Sequence, residues 1–375
     1  MKLLFLHSHA EWRGGAPHSI ATWARGLRER GHCVTLVAPA GTWLTDLAAE
    51  GFETRELPRT ERLGGLLEQA TPANAARLWG LLRAERPDRV QTFQYGTHLL
   101  ARTVCEPLGI PWVHAILGPL SPGQAFRDGV ITSVAPEFAA DAALRGAGRV
   151  LVARGRIDLR RFQPLPTPPQ PAVLGFASRL EGRLIPVARL VLDAFARLET
   201  RPVQLLVAGD GPGLTELRQR APPGVQFVGQ VREIREVLQR CHVWLAAGRT
   251  LIEGLASRRA CVAVGPHGVG GVVSDESLPR IAAFNFGGRH VPTGTGGPET
   301  LARLLDALLA SPEQREVLAD SGRNWVARHL GVEAGLDALE AAHALAGPTT
   351  GGSTLLWELG REKVARVARR LAAGR

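Results

Sequence analysis

The chain has 375 residues, a net charge of +10, 45% hydrophobic residues and 21% charged residues. This composition is that of a soluble globular protein and excludes wholesale disorder. The length exceeds one ordinary core, because domains cluster near ~100–150 residues, so we expect two α/β domains. No apolar run approaches the ~18 residues of a membrane span. The short apolar start "MKLLFLHSHAEWRGG" is interpreted as a first strand, not a signal peptide.

The positive charge is almost entirely arginine, since Lys2 and Lys363 are the only lysines. Acidic residues are interspersed and no basic run is aligned with stacking aromatics, so we expect no nucleic-acid partner. An anionic substrate or an anionic membrane surface fits the charge better. Four widely spaced cysteines in apolar segments indicate reduced core residues of a cytoplasmic protein. They are Cys33, Cys105, Cys241 and Cys261.

Strands and helices alternate in the first half of the chain, which predicts βαβ units and a parallel sheet. The predicted strands are "KLLFL", "CVTLVAP", "DRVQTF" and "PWVHAIL". The predicted helices are "APHSIATWARGLRERG", "GTWLTDLAAEG", "ANAARLWGLLRAERP" and "HLLARTVCEPLG".

A proline-rich segment, "RFQPLPTPPQPAV", interrupts this pattern, which restarts with "VLGFASRL". Proline continues neither a helix nor a central strand, so the segment predicts an interdomain linker. We therefore predict an N-terminal Rossmann-like domain over 1–163, a linker over 164–172 and a second Rossmann-like domain over 173–330. Each has a doubly wound parallel sheet, with the ligand in the cleft between the carboxyl ends of both.

The last predicted segment, 331–375, is helical and is expected to pack back toward the N-terminal domain. It ends in the basic amphipathic stretch "LLWELGREKVARVARRLAAGR". Contact with a membrane surface is one interpretation of this stretch, and a terminal helix packed on its own protein is the other.

Three loops could hold a phosphate. Gly14 and Gly15 precede the first helix, where free amides favour an anion, although a tight turn without a ligand needs the same glycines. Arg179 and Arg183 directly follow a strand and could neutralise a diphosphate leaving group, or lie solvated on the surface. "VAGDGPGLTELRQ" is interpreted as a simple strand-to-helix turn.

The stretch "AAGRTLIEGLASRR" contains one carboxylate, Glu253. Gly248, Arg249 and Thr250 are predicted to lie between a strand and a helix, with the amides near Thr250 and Leu251 facing an anion. Glu253 is then expected in the first turn of that helix. A carboxylate there could bind a ligand or simply complement the helix dipole.

The order of these pieces resembles the family 4 glycosyltransferases of GT-B fold, which are retaining, depend on nucleotide sugars and need no metal. The resemblance runs from Met1 to about Leu345. It is carried by "RGGAPHSIATWARGLRERGHCVTLVAP", "RVLVARGRIDLRRFQP", "GFASRL" followed by Arg183, "LLVAGDGP", "VQFVGQV" and "EGLASRRACVAV" in sequence.

The resemblance implies a role for each matching residue. Gly14 and Gly15 would lie beside the donor diphosphate or sugar, and Arg179 and Arg183 would offset the leaving-group charge. Glu253 matches the second Glu of the E-x7-E motif, which binds the ribose hydroxyls. Further donor-binding residues would be Gly209, Val231 (backbone, to the base), Arg249, Thr250 and Leu251. No cofactor is implied, and the departing phosphate itself would take the acceptor proton.

Two residues depart from the family pattern. Leu245 stands eight residues before Glu253, where the first Glu of the motif is usual, in a shortened loop. Leu117 stands where a His usually contacts the donor sugar. His114, three residues earlier, is expected to face the other way on its strand.

The sequence thus predicts transfer of a sugar, with retention, from a UDP- or GDP-type donor to a saccharide, lipid or natural-product acceptor. A catalytically silent nucleotide- or partner-binding protein and a nucleotide-sugar epimerase are the alternatives. We expect a cytoplasmic protein, with peripheral contact at the inner face of the membrane through its basic C-terminal stretch as a further option. The candidate acceptor residues are His7, His9, Trp12, Gln94 and Tyr95.

Overall fold

The computed structural model describes residues 1–58, 69–126, 129–200 and 202–348. Contacts within the chain divide it into two compact units. Unit 1 is Met1–Gly155 together with the segment that begins at Glu333, and unit 2 is Arg156–Val332.

The described part of unit 1 contains a parallel seven-stranded sheet in the order β3-β2-β1-β4-β5-β6-β7. Its strands are β1 (Lys2–Leu6), β2 (Cys33–Ala38), β3 (Glu53–Glu56), β4 (Arg89–Thr92), β5 (Trp112–Ile116), β6 (Val130–Ser133) and β7 (Arg149–Val152). Its helices are α1 (Gly15–Glu29), α2 (Thr42–Ala49), α3 (Pro72–Glu85), α4 (Tyr95–Leu108), α5 (Pro136–Leu144) and, late in the chain, α13 (Val332–Leu345).

Strand β1 lies inside this sheet, between β2 and β4, and Leu3 to Leu6 are all fully buried, so both faces of the sheet are covered there. Helix α13 is held to the rest of unit 1 by Arg30. The guanidinium nitrogens of Arg30 lie 2.6 Å from a carboxylate oxygen of Glu333, 2.7 Å from one of Asp337 and 2.6 Å from one of Glu340. A network that shares one guanidinium among three carboxylates orients α13 more firmly than a single exposed pair would.

The described part of unit 2 contains a six-stranded sheet in the order β10-β9-β8-β11-β12-β13, of which β13 alone is antiparallel. Its strands are β8 (Ala172–Ala177), β9 (Val203–Ala208), β10 (Val225–Gly229), β11 (Val243–Ala246), β12 (Ala260–Gly265) and β13 (Gly268–Val272). Its helices are α6 (Ile185–Ala196), α7 (Leu214–Arg220), α8 (Ile234–Leu238), α9 (Arg249–Ala256), α10 (Leu278–Ala283), α11 (Pro298–Ala310) and α12 (Pro312–His329). Both units therefore have the predicted α/β, Rossmann-like architecture.

The proline-rich segment packs within unit 2. The amide of Leu165 donates to Ser257 O, and the buried Arg259 guanidinium donates to the carbonyls of Leu165 and Pro166. The domain boundaries inferred from the sequence stay a prediction.

One cysteine differs from the expectation of a core residue. All four cysteines are free, but Cys33 is exposed, because it is the first residue of β2 at the amino-terminal edge of the sheet. The basic amphipathic stretch at the C-terminus lies outside the described residues. Within the described ranges, no helix combines the length and apolarity needed to cross a membrane.

Candidate functional site

The candidate donor residues of unit 2 follow the carboxyl ends of adjacent strands. Arg179 follows β8, Gly209 follows β9, Val231 follows β10 and Gly248 follows β11. Strands β8 and β11 are neighbours although β9 and β10 come between them in sequence, so the strand order reverses there. In open α/β sheets such a switch point forms the ligand crevice.

Glu253 is buried at this edge, with 6% of its surface exposed. Its Oε1 lies 2.7 Å from Arg249 Nε, and Arg249 Nη1 donates to Arg156 O at 2.9 Å. Burial raises the pKa of the Glu253 carboxyl, and the charge of Arg249 opposes that rise. The Glu253 carboxylate is therefore oriented by a partner one helical turn away.

The expected position of Glu253 in the first helical turn is wrong. Helix α9 begins at Arg249, directly after the N-cap Gly248, so Glu253 is its fifth residue and lies in the second turn. Arg249 and Thr250, expected in the connecting loop, are the first two helical residues. Since Gly248 adopts a φ of +66°, a glycine conformation, the chain turns from strand to helix within two residues. Capping of the helix dipole therefore does not explain Glu253.

The amides of the first turn of α9 belong to Arg249, Thr250 and Leu251, which have no acceptor within the helix. The Thr250 hydroxyl donates to Ala247 O at 3.0 Å, and the Trp244 indole donates to Thr250 O at 2.9 Å. These bonds fix the start of the helix, so its amides form a preorganised group of donors suited to an anion.

Leu245 lies inside β11 and is fully buried among core side chains. The position eight residues before Glu253 therefore falls within the sheet, because only Ala247 and Gly248 separate β11 from α9. A carboxylate at Leu245 would be desolvated without a partner. With a loop of two residues, the chain therefore has no position outside the sheet for a carboxylate eight residues before Glu253.

The two cationic candidates on the β8 side are exposed. Arg179 forms a 2.8 Å ion pair with Glu181, and its side chain is half exposed, while Arg183 is an exposed residue of the 3-10 turn Gly182–Leu184. Neither guanidinium is committed to the protein core. Both remain available to a ligand at the switch point.

The glycine-rich turn after β9 holds the loop that carries Arg179. The Ser178 amide donates to Ala208 O, the Leu180 amide to Asp210 O, and the Gly213 amide to Leu180 O. Gly209 has a φ of +139°, and a Cβ atom there would overlap the Ser178 carbonyl oxygen. The glycine-rich turn after β9 thus holds the backbone on both sides of Arg179, which matches its interpretation as a turn and gives it a positioning role.

Val231 lies two residues beyond the end of β10, is half-buried and packs on the core of unit 2. It is on the far side of β9 from the switch point in the strand order. The structure therefore places its backbone along the same carboxyl edge as Gly209, away from Glu253.

Unit 1 has a cavity of about 380 Å³ at its own switch point, between the carboxyl ends of β1 and β4. We call it the unit 1 cavity. Its volume falls within the roughly 300–1,000 Å³ of small-molecule sites. Among the described residues that line it, none is Asp, Glu, Lys or Arg. Its polar lining consists of Ser8, His9, Gln69, Gln94, Tyr95, His114, Ser121 and Gln124.

Gln94 connects the two strand ends at this cavity. Its Oε1 accepts from the Ser8 amide at 2.9 Å and lies 3.1 Å from Nδ1 of His7, which is fully buried. Burial holds the pKa of His7 well below its usual range. Both contacts fall on Oε1, and among the described residues no hydrogen bond is seen from the Gln94 amide nitrogen.

His114 contradicts its expected orientation, because it lines the unit 1 cavity together with Leu117. Strand β5 ends at Ile116, so Leu117 is no longer part of the strand's alternation. His114 Nδ1 lies 2.8 Å from the Thr92 hydroxyl, and burial lowers its pKa to about 3. It therefore offers a neutral imidazole to this cavity.

The remaining candidates lie apart. The Trp12 indole donates to Asp46 at 2.8 Å, and Trp12 does not line the unit 1 cavity, whereas Ala16, in the first turn of α1, does. Gly14 precedes α1 with a φ of +83°, and Gly15 is the first helical residue. The glycine pair therefore sets the amino terminus of α1 next to the cavity. The sequence analysis did not identify Arg156 as a site residue. In a chain with so many arginines, no sequence pattern distinguishes this buried arginine from the exposed ones.

Comparison with known proteins supports this architecture. Residues 14–156 match the family described as a glycosyl transferase 4-like domain, and residues 171–311 match glycosyl transferases group 1. No curated protein matches the sequence significantly.

Several solved structures are similar in fold. A glycosyltransferase from Rickettsia africae is 16% identical, with a TM-score of 0.70 over 92% of this chain and 98% of that one. Anabaena HepE, solved in complex with UDP-glucose, is 17% identical, with a TM-score of 0.68 over 92% of this chain and 100% of that one. The lipopolysaccharide outer core galactosyltransferase WaaB, in its apo form, is 14% identical, with a TM-score of 0.61 over 91% of this chain and 99% of that one. At these identities the likeness shows the fold alone.

Proposed function

Because the chain belongs to the family 4-like glycosyltransferases, we propose that it transfers a sugar from a UDP-type nucleotide sugar to a saccharide, lipid or natural-product acceptor. The observation that carries the proposal is the buried Glu253 beside the first-turn amides of α9, at the switch point that also carries Arg179. The UDP-glucose complex of HepE supports the choice of UDP over GDP.

In this mechanism unit 2 binds the donor. Glu253, held by Arg249, accepts hydrogen bonds from the ribose hydroxyls, and the amides at the start of α9 donate to the diphosphate. Arg179 and Arg183 offset the charge that develops on the leaving diphosphate, and Gly209 keeps their loop in place. The Val231 backbone holds the base.

We further propose that transfer proceeds with retention and without a metal. The sequence has no D-x-D pair to hold a divalent cation, and clustered guanidiniums and amides supply the charge stabilisation that a metal would provide. The departing phosphate is then the group that takes the acceptor proton.

The acceptor is proposed to bind in the unit 1 cavity, which His9, Gln94 and Tyr95 line and where the Ser8 amide and His7 contact Gln94 Oε1. We propose a cytoplasmic enzyme. Its basic C-terminal stretch would bring it to an anionic membrane surface if the acceptor is a lipid.

The test is calorimetric binding of UDP, GDP, ADP and their sugars, followed by turnover assays with Glu253→Ala and Arg179→Ala. We expect UDP to bind the wild type and both variants to bind it more weakly. Unchanged affinity in both would remove the donor-site assignment, and turnover that needs a divalent cation would contradict the metal-free mechanism.

A second candidate is a catalytically silent nucleotide-binding protein. It is favoured by Leu245, a buried leucine where the resemblance implies a carboxylate, and by Leu117, which lines the unit 1 cavity where the resemblance implies an imidazole. Nucleotide binding without turnover on any donor and acceptor pair would select this alternative.

A further inference from the structure

Three polar side chains from two neighbouring strands meet at the unit 1 cavity. Gln94 follows β4, His114 lies in β5 and Gln124 follows β5, and all three line the cavity. His114 and Gln124 are buried, with 3% and 7% of their surfaces exposed. Gln94 is a candidate acceptor residue from the sequence, whereas His114 and Gln124 are not.

Each glutamine is held by its side-chain oxygen. Gln94 Oε1 accepts from the Ser8 amide at 2.9 Å, and Gln124 Oε1 accepts from the Ser121 amide at 3.0 Å. A backbone N–H can only donate, so these contacts determine which end of each carboxamide is the oxygen. Within the described ranges, no hydrogen bond is seen from Nε2 of either glutamine.

These nitrogens are not sealed inside the protein. A separate set of polar atoms is fully enclosed without a partner, and Nε2 of Gln94, Gln124 and His114 does not belong to it. Since Gln124 and His114 are more than nine-tenths buried and line the unit 1 cavity, the cavity is the space that their accessible atoms face.

Tyr95 joins the two chain segments that carry the glutamines. Its hydroxyl donates to Ala125 O at 3.2 Å and accepts from the Ala125 amide at 3.1 Å. Tyr95 directly follows Gln94, and Ala125 directly follows Gln124, so these bonds hold the two glutamines near one another. The one proton of the Tyr95 hydroxyl is used by the Ala125 carbonyl. Tyr95, a candidate acceptor residue from the sequence, is therefore suited to positioning the site.

His114 offers a hydrogen-bonding group of another kind. Its Nδ1 lies 2.8 Å from the Thr92 hydroxyl, and burial lowers its pKa to about 3, so the ring is neutral near pH 7. One nitrogen of a neutral imidazole donates and the other accepts. Nε2 is therefore either a donor or an acceptor, and a hydroxyl group can pair with it in both cases.

The lining of the cavity favours an uncharged ligand rich in hydroxyl groups. The carboxamide N–H groups need acceptor oxygens, but an anion would enter a lining in which the described residues include no Lys or Arg. Phe93, Ile116 and Leu120 line the same cavity and suit the C–H face of a sugar ring. The volume of about 380 Å³ is near the lower end of small-molecule sites, so it suits one terminal sugar.

We propose that Gln94, Gln124 and His114 form a subsite for an uncharged terminal sugar of the acceptor. Nε2 of both glutamines donates to hydroxyl oxygens of that sugar, and His114 Nε2 pairs with a further hydroxyl group. The acceptor class is then a neutral saccharide or glycoconjugate, and an aliphatic alcohol or an anionic sugar is excluded. This inference rests on the proposed function, since it names the acceptor class of the same site.

The test measures sugar binding in the absence of a nucleotide. Methyl glycosides of neutral hexoses and pentoses are screened against the full chain by saturation-transfer NMR, and the dissociation constant of each binder is then titrated. We expect at least one of them to bind the wild type. Gln94→Glu and Gln124→Glu keep the oxygen that accepts from the backbone but lose the N–H donors. In each, the dissociation constant should rise on the order of 10-fold.

Deoxy analogues of the binding glycoside separate a contact from a structural effect. The analogue that lacks the hydroxyl bound by Gln124 should bind the wild type weakly and Gln124→Glu no more weakly, whereas a structural defect would weaken every analogue alike. Gln163→Glu is the matched control, because Gln163 lies in unit 2 and its Nε2 donates to Leu159 O at 2.9 Å. It should bind the glycoside as the wild type does.

UDP binding separates this inference from the proposed function. Glycoside binding that both Glu variants weaken would support the subsite even if the wild type bound no UDP, in which case the proposed function fails alone. Equal glycoside affinities in the wild type and both variants, or no glycoside bound by the wild type, would overturn the inference. So would a Gln124→Glu variant that loses affinity for UDP-glucose alone, because the sugar held there would then be that of the donor.

Discussion

At the switch point of unit 1 the cavity is lined by amides, hydroxyls and imidazoles, whereas the corresponding edge of unit 2 is lined by arginines around one buried carboxylate. Both edges arise from the same topology, in which a central strand has crossover helices on either side. The strand order therefore determines where a ligand lies, and the side chains determine its charge. Unit 1 suits a neutral hydroxyl-rich group, and unit 2 suits an anion.

The largest effect on stability is expected from a substitution at the carboxyl edge of the unit 2 sheet, where arginines surround Glu253. In Glu253→Ala the buried Arg249 and Arg156 lose their carboxylate, so the free energy of unfolding should fall by about 3–5 kcal/mol. The measurement is urea unfolding. The double variant Glu253→Leu with Arg249→Met removes both charges of the pair and should recover most of the loss. A single variant as stable as the wild type would mean that the pair is not desolvated.

Gly209→Ala should have the next largest effect, because its Cβ would overlap the Ser178 carbonyl at a φ that alanine avoids. We expect a loss of about 3 kcal/mol, together with weaker UDP binding as the Arg179 loop moves. Gly229→Ala is the matched control, since its φ is +74° but its Cβ would meet no atom within 4 Å. If both variants bound UDP as the wild type does, the contact between the turn after β9 and the Arg179 loop would have no role in donor binding.

The unit 1 cavity can be tested through the pH dependence of protein stability, because His114 lines it. The His114 pKa is lowered to about 3 in the folded protein, against about 6.5 unfolded. Below pH 6.5 the unfolded state therefore binds more protons, and stability falls as the pH falls toward 3. From pH 8 to pH 5 this one residue should account for roughly 2 kcal/mol.

His114→Asn should therefore flatten the decline of urea midpoints between pH 7 and pH 5. His343, whose pKa burial also lowers to about 3, is a second source of the same slope. The variant His343→Asn should flatten it additionally, because the two sites share no partner. A slope that neither substitution changes would show that each imidazole has the same pKa in the folded as in the unfolded protein.

The smallest effect on stability is expected for Arg179→Ala. Its pair with Glu181 is half exposed, so the free energy of unfolding should change by less than about 1 kcal/mol, while UDP affinity falls. Arg189→Ala, which breaks the exposed pair with Glu216, should be equally mild for stability and neutral for UDP. A loss of stability without a loss of affinity would assign Arg179 to the fold instead of the site.

The sequence predicted the elements whose side chains alternate clearly. Strand β1 and helix α1, for example, bury a clear apolar face and are separated by a glycine-containing turn. It did not predict β3, whose sequence "ETRE" is polar because it is an edge strand, or β13, whose sequence "GVGGV" has few side chains to show a period. Neither has the pattern on which strand prediction depends.

From the sequence one could predict which strand each candidate site residue follows, but not which side chains contact one another. Arg179, Gly209 and Gly248 could be placed because parallel strands deliver their following residues to one edge. The pairing of Glu253 with Arg249 needed the register of α9, which begins earlier than the turn residues indicated. The burial of Arg156 depends on Asn285, distant in sequence, and no local pattern records such a contact.

The ion pairs of Arg30 with α13 join the beginning of the chain to a helix near its end. Unit 1 is discontinuous, since the chain leaves it after Gly155 and returns at Glu333. The two crossing segments are hydrogen-bonded to each other through Ile157 and Val332. A fragment that stops at Gly155 would lack α13, whose Leu336 side chain packs against Gly26 of α1. A circular permutant that begins with α13 and runs on into β1 would instead encode unit 1 as one uninterrupted gene segment.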